Sequence, residues 1–158
     1  MWLDRVHTTS GRNLKGLWAH PQTPFRVIKA VDPHRDAFFD YACFLLRKKP
    51  ANPYFPKVFD IYVEDDLAYI EIERLRVLTH EEQDDLHDFA KDSDSYITSM
   101  SERHDDIAYQ APHEYLCALR LIRRHFIDRL EHWADIHIHN LMIRPSTNEL
   151  VLNDPIWN

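Results

Sequence analysis

Glycine is scarce in this chain, whose 158 residues include only Gly11 and Gly16. Two glycines cannot form a G-x-G-x-x-G motif, and Gly16 is followed by Leu17-Trp18 where a Walker-type loop requires Lys and then Ser or Thr. Because both glycines fall within the first 20 residues, a sharp turn or a close backbone approach is expected there. Two interpretations remain open: a hairpin loop that covers a phosphate group, and a plain β-hairpin with glycines in its turn.

Cysteine and long apolar runs are also scarce, and positive charge is in deficit. The two cysteines, Cys43 and Cys117, each lie in an apolar periodic run, which favours buried free thiols in a reducing compartment over a disulfide framework. No apolar run approaches the roughly 18 residues of a membrane span. The net charge of −7 gives no general attraction to nucleic acid or to an anionic membrane. We therefore expect a cytoplasmic protein with no membrane or nucleic-acid partner.

The first half of the chain has the pattern of an antiparallel sheet of about five strands with one helix. Strands are predicted over residues 2–7, 17–20, 25–31, 57–63 and 67–73. The helix is predicted to begin at Asp32-Pro33, with Asp32 as its cap. Its predicted inner face consists of Phe38, Tyr41, Ala42 and Leu45. Lys29 lies between apolar neighbours in a strand, where a cation needs an anionic partner.

The second half is mainly helical by its pattern. Thr79 and Glu82 form a capping box that opens an acidic helical region over 79–100. Its apolar positions are sparse and residues 92–95 favour a break, so we expect a solvated, loosely attached element. The strongest helix covers 113–133, with an apolar stripe of Leu116, Leu119, Ile122, Phe126, Leu130 and Trp133. A short hairpin of residues 141–144 and 149–153 follows.

Three polar residues have the spacing of a site for magnesium-assisted phosphoryl transfer. Asp135 follows the strongest helix, Asn140 comes five positions later, and Asp154 follows an apolar strand. One carboxylate can orient an attacking hydroxyl, while an amide oxygen and a second carboxylate hold the metal that bridges the phosphates. The spacing therefore predicts a phosphotransferase site that contains these three side chains.

Three stretches together resemble the protein-kinase-like superfamily: Arg26-Val27-Ile28-Lys29, Pro56-Lys57-Val58-Phe59-Asp60, and the segment from Asp135 through Asn140-Leu141-Met142 to Asp154-Pro155. Within it, the chain is most similar to the short Ser/Thr protein kinases of T7-type bacteriophages. The resemblance implies a truncated kinase-like fold of the α+β class, with an antiparallel N-lobe sheet and one helix in residues 1–75 and a hinge near 72–75. A reduced, mainly helical C-lobe would occupy 76–158 and carry the catalytic-loop hairpin at 133–144.

The resemblance also implies roles for individual residues. Lys29 contacts the α and β phosphates of ATP, Asp135 is the catalytic carboxylate, and His137 can donate to the transferring phosphate. The remaining implied roles are a covering loop with Gly11 and Gly16, adenine contacts from the backbone of Glu73 and Leu75, and magnesium ligands Asn140 and Asp154. The implied activity is ATP- and Mg2+-dependent phosphorylation of Ser or Thr in a host protein, in the host cytoplasm.

Departures from the kinase pattern keep a pseudokinase hypothesis open. No glutamate occurs between residues 33 and 50, so only Asp36 or Asp40 could pair with Lys29 from the first helix. Trp133 stands two residues before Asp135, where kinases usually carry a histidine. A catalytically weak kinase-like module that binds and inhibits a host protein is therefore the first alternative.

A histidine cluster gives a second alternative, a metal-dependent hydrolase. His137 and His139 alternate beside Asp135, and His132 precedes them. Alternating residues of an extended strand point to the same face, so two imidazoles could bind one transition metal. This hypothesis gives no role to Asn140, which the kinase hypothesis explains.

Overall fold

The described part of the chain folds into mixed α and β structure, with antiparallel sheets and three helices of ten residues or more. The computed structural model describes residues 14–99, 110–130 and 132–158. They form two compact units. The first holds the described residues up to Pro50 together with Pro56–Arg74, and the second holds Ala51–Phe55 together with the described residues from Leu75 onward. Within the described ranges, no helix is long and apolar enough to cross a membrane.

The first unit is built on a four-stranded antiparallel sheet. Its strands, in the order β1-β2-β4-β3, are β1 Leu14–Ala19, β2 Arg26–Val31, β3 Val58–Glu64 and β4 Leu67–Glu73. A two-residue turn joins β3 to β4, and both of its residues have positive φ, 50° at Asp65 and 62° at Asp66. This backbone geometry matches the twist of the flanking strands. The predicted strand over residues 2–7 lies outside the described residues.

Helix α1, Ala37–Lys48, packs against β3 and β4. The predicted start at Asp32-Pro33 is wrong, because the carboxylate of Asp32 accepts the N–H of His34 and so caps a separate turn. The helix begins after Asp36, whose carboxylate accepts the N–H of Phe38. The predicted inner face is confirmed, since four side chains are at most 4% exposed: Phe38, Tyr41, Ala42 and Leu45.

Gly16 lies inside β1 and not in the loop that the sequence predicted. The register of β1 against β2 shifts between Leu14 and Gly16. A Cβ atom on Gly16 would overlap the indole ring of Trp18. A packing contact in the sheet therefore accounts for this glycine, while Gly11 lies outside the described residues.

The second unit combines helices with two small antiparallel sheets. Its helical segments are α2 His80–Thr98, α3 His113–Ile122, a π-helical turn Arg123–Ile127 and a last helical turn Asp128–Leu130. One sheet has the order β5-β7-β8 and consists of β5 Arg76–Val77, β7 Leu141–Arg144 and β8 Glu149–Leu152. The other consists of β6 Trp133–Ala134 and β9 Ile156–Trp157.

Helix α2 is continuous and well attached, so the prediction of a break in its second half and of a loose, solvated element is wrong. Thr79 and Glu82 form the capping box at its start. Ser93 is fully buried, and its hydroxyl donates to the carbonyl of Phe89 at 2.7 Å and accepts from the hydroxyl of Tyr115 at 2.8 Å. These bonds satisfy a residue type that is otherwise unfavourable inside a helix.

The helix predicted over residues 113–133 ends earlier, at Leu130. Phe126 is fully buried as the apolar stripe requires, but Leu130 is 48% exposed and Trp133 is 63% exposed. The π-helical turn adds a residue to one turn, so the positions after Phe126 rotate away from the buried face. Trp133 pairs instead with Trp157, which joins β6 to β9.

A buried arginine attaches residues 51–55 to the second unit. Arg144 of β7 is 6% exposed. Its guanidinium donates to the carbonyl of Pro53 at 2.9 Å and to the carbonyl of Phe55 at 3.0 Å. The sequence predicted that residues 51–55 belong to the first lobe. Their hydrogen-bond partner Arg144 lies on a strand that is distant in sequence, and its bonds attach them to the second unit.

Candidate functional site

The residues on either side of Asp154 form backbone hydrogen bonds with the other two predicted site residues, Asn140 and Asp135. The N–H of Asn153 donates to the carbonyl of Asn140 at 3.0 Å. The carbonyl of Pro155 accepts the N–H of Asp135 at 2.9 Å. The pairing of β7 with β8 and of β6 with β9 supports this arrangement from both sides. The fold therefore brings the segments that carry all three residues together.

The side-chain amide of Asn140 holds the loop that follows Asp135. Its Nδ2 donates to the carbonyl oxygen of Asp135 at 2.8 Å and to Oδ2 of Asp135 at 3.0 Å, and it lies 3.1 Å from Nε2 of His137. Both hydrogen bonds from the Asn140 side chain to Asp135 use the amide nitrogen. The amide oxygen is therefore the atom that can bind a cation.

His137 is the third side chain of this cluster. Its Nδ1 accepts the N–H of His139 at 3.2 Å, and its Nε2 lies 3.4 Å from Oδ1 of Asp135. Because Nδ1 is an acceptor, the proton of the neutral ring is on Nε2 and faces Asp135. The hydrogen bond to Asp135 raises the pKa of His137 above its ordinary value; burial opposes this shift, and the charges of Asp154 and Asp94 reinforce it. The imidazole can therefore hold a proton at the site and donate it.

An open groove of about 500 Å³ runs between helix α2 and residues 134–139. Asp135 and His137 line one side of it, and Asp94 lies on the α2 side. The Oδ1 of Asp94 accepts the N–H of Ile136 at 3.0 Å. Sequence reasoning missed this residue, because its partner is 42 positions away and the local pattern suggested a helix break. Helix α2 is therefore part of the site.

Lys29 lies in the first unit, on strand β2. It is paired in register with Leu17 of β1 and with Ile70 of β4. Its Nζ lies 3.3 Å from the centre of the Phe38 ring, a cation–π contact. The sequence predicted anionic partners for this ammonium group, a phosphate and a carboxylate, and did not predict the aromatic contact. The role of Lys29 as a phosphate contact stays a prediction.

The two residues predicted to meet adenine lie at the end of β4 and just beyond it. Glu73 is 9% exposed, and its N–H donates to the carbonyl of Lys57 at 2.9 Å. Its carboxylate accepts the N–H of Lys57 at 2.9 Å. The N–H of Glu73 is therefore already paired within the sheet. Leu75 is half-buried and belongs to the second unit. The adenine contacts of Glu73 and Leu75 stay predictions.

The donor atoms of the site suit magnesium better than a transition metal. The carboxylate of Asp154 and the amide oxygen of Asn140 are hard oxygen ligands of the kind that Mg2+ prefers, so the two predicted ligands fit the ion. Over residues 14–99, 110–130 and 132–158, no three His, Cys, Asp or Glu side chains form a group that could hold a metal ion. His132 is 9% exposed and its ring lies 6.2 Å from that of Phe126. The geometry therefore gives no support to the hydrolase hypothesis.

No protein-family model matches the chain. No curated protein matches it either. Functional assignment therefore depends on the chemistry of the residues themselves.

Proposed function

We propose that the chain is a small protein-kinase-like phosphotransferase that uses ATP and Mg2+ and acts on Ser or Thr of a host protein in the host cytoplasm. The observation that carries the proposal is the set of hydrogen bonds around Asp154. Asn153 bonds to Asn140, Pro155 bonds to Asp135, and the Asn140 amide bonds to the Asp135 carboxylate. Two carboxylates and an amide oxygen, carried by segments that are held together in this way, are the groups that such a reaction requires.

Each polar side chain has a distinct task in this proposal. Asp135, which is 38% exposed, orients the acceptor hydroxyl and takes its proton. His137 carries a proton on Nε2 and donates toward the transferring group. Asn140 and Asp154 would hold Mg2+, which when bound neutralises the charge of the phosphates. Lys29 is the proposed contact to the α and β phosphates.

Nucleotide binding is the first test. Mg2+·ATP should raise the melting temperature of the wild-type protein, because a ligand at 100 times its Kd stabilises the folded state by about 2.7 kcal/mol. Asp154→Ala should abolish this shift. His139→Gln is the matched control, since it changes an exposed imidazole of the same loop and should leave the shift intact. A wild-type protein that shows no shift with ATP, ADP or GTP would refute the nucleotide site.

Phosphate transfer is the second test. Label from γ-phosphate should appear on a host-lysate protein or on the chain itself, at an initial rate that Asp135→Asn lowers roughly 10²- to 10⁴-fold, the range for losing a positioned base. Asparagine keeps the size of the side chain and an oxygen acceptor, so the loss would report on the carboxylate and not on packing. Equal rates for wild type and Asp135→Asn would contradict the role of Asp135.

A pseudokinase that binds and inhibits a host protein is the second candidate. The contact of the Lys29 ammonium with the Phe38 ring favours it, because a cation–π contact gives this side chain a packing role that needs no nucleotide. The packing of Gly16 against Trp18 favours it as well, since it explains the glycine without a phosphate. This candidate predicts no labelled product at any protein concentration, whereas the phosphotransferase predicts label that increases with protein concentration.

A further inference from the structure

The peptide group between Asp135 and Ile136 is held at both of its polar atoms. Its carbonyl oxygen accepts from Nδ2 of Asn140 at 2.8 Å. Its N–H donates to Oδ1 of Asp94 at 3.0 Å. The preceding peptide is also fixed, because the N–H of Asp135 donates to the carbonyl of Pro155 at 2.9 Å. Both peptide groups that flank the Cα of Asp135 are therefore restrained, and helix α2 provides one of the restraints.

The rotation of helix α2 about its axis is set by the residue next to Asp94. Ser93 is fully buried and bonds to Tyr115 of α3 through its hydroxyl at 2.8 Å. Ala90 and Ile97 lie on the same helix face and are each 1% exposed. Because this face is fixed against the rest of the second unit, Asp94 is directed at residue 136.

We propose that Asp94 is a positioning residue for Asp135. By accepting the N–H of Ile136 it fixes the plane of the 135–136 peptide, and so the direction in which the Asp135 carboxylate leaves the backbone. The expected effect on rate rests on the proposed phosphotransferase function, whereas the effect on the peptide does not. Orientation of a reacting group contributes strongly to catalysis, and small displacements of that group lower the rate.

Three variants of the full chain separate this role from general effects on helix α2. Asp94→Ala removes the acceptor. Asp94→Asn keeps an acceptor oxygen of the same shape and removes the charge. Asp92→Ala is the matched control, because it removes an exposed carboxylate from the same helix. Amide hydrogen exchange measured by NMR reports on the N–H of Ile136, and the initial rate of phosphate transfer reports on Asp135.

The amide of Ile136 should exchange roughly tenfold faster or more in Asp94→Ala, which loses a hydrogen bond to a charged acceptor. In Asp94→Asn and Asp92→Ala it should stay within about threefold of wild type, because the acceptor is kept. The amide of Ile97 should keep its wild-type exchange in all three variants, which shows that α2 is intact. The transfer rate should fall in Asp94→Ala and recover in Asp94→Asn.

Two results would overturn the proposal. One is an unchanged Ile136 amide in Asp94→Ala; if the transfer rate nevertheless fell, Asp94 would act directly on a ligand in the groove. The other is an Asp94→Asn variant whose Ile136 amide exchanges as fast as in Asp94→Ala. If the wild-type protein transfers no phosphate, only the proposed phosphotransferase function is refuted. The exchange rate of the Ile136 amide still decides whether Asp94 fixes the 135–136 peptide.

Discussion

Replacement of Arg144 tests how strongly the second unit depends on residues 51–55. Arg144→Met keeps apolar volume but removes the hydrogen bonds to the carbonyls of Pro53 and Phe55. A buried polar group without a partner costs roughly 1–3 kcal/mol, and the bond to Phe55 is the more buried of the two. The ion pair with Glu149 adds little, because that carboxylate is 42% exposed and solvent screens it. We expect a loss of about 3 kcal/mol in the free energy of unfolding.

Urea denaturation followed by tryptophan fluorescence measures this loss. With a denaturant dependence of roughly 2 kcal/mol per molar urea, a loss of about 3 kcal/mol lowers the midpoint by about 1.5 M. Glu149→Gln is the matched control, and it should lower the midpoint by less than about 0.5 M. If Arg144→Met shifts the midpoint no more than Glu149→Gln does, the two carbonyl bonds do not hold residues 51–55 in place and the reasoning is refuted.

Two further predictions concern acid stability and strand packing. Hydrogen bonds from Arg76 and from the backbone of Thr79 lower the pKa of Glu82 from 4.5 to about 2. The ionised carboxylate therefore stabilises the fold above pH 4.5, and this contribution is lost as the pH falls toward 2. The difference in urea midpoint between wild type and Glu82→Gln should therefore shrink below pH 4.5; a difference that stays constant would contradict it. Gly16→Ala should lower the stability of the first unit by roughly 1–3 kcal/mol, because the added Cβ displaces Trp18. Thermal melting of Gly16→Ala with Trp18→Leu should recover part of the loss, and no recovery would exclude this contact as its cause.

Elements with strong local signals were predictable from the sequence. The inner face of α1 follows from helical spacing alone, and the hairpin of β3 and β4 follows from two β-branched runs around an acidic turn. The capping box of Thr79 and Glu82 is likewise a signal contained in four residues. In each case the residues that interact are close in sequence, so the local sequence pattern is enough to predict the interaction.

Elements whose partners are distant in sequence were not predictable. Ser93 and Asp94 signal a helix break when taken alone, but their partners lie 22 and 42 positions away and keep the helix continuous. The π-helical turn that ends the apolar stripe before Trp133 also has no local signal. These features depend on tertiary contacts that override local propensity.

Only part of the candidate site could be predicted from the sequence. The spacing named Asp135, Asn140 and Asp154, and the fold brings their segments together. It could not indicate that the amide nitrogen of Asn140 would bond to Asp135 and leave the oxygen for a cation. It also could not indicate the Phe38 ring beneath Lys29, because a cation–π contact has no spacing rule between a strand and the helix that follows it.

The attachment of residues 51–55 also implies an order of events in folding. Pro53 and Arg144 are 91 positions apart, and the N–H of Leu152 donates to a carbonyl of the same segment. Contacts this distant in sequence close long loops, which slows folding. The four described strands of the first sheet are all synthesised by Glu73, so that sheet can form while the ribosome is still extending the chain. Residues 51–55 emerge with it, but the carbonyls of Pro53, Tyr54 and Phe55 gain their hydrogen bonds to Arg144 and Leu152 only when β7 and β8 have been made.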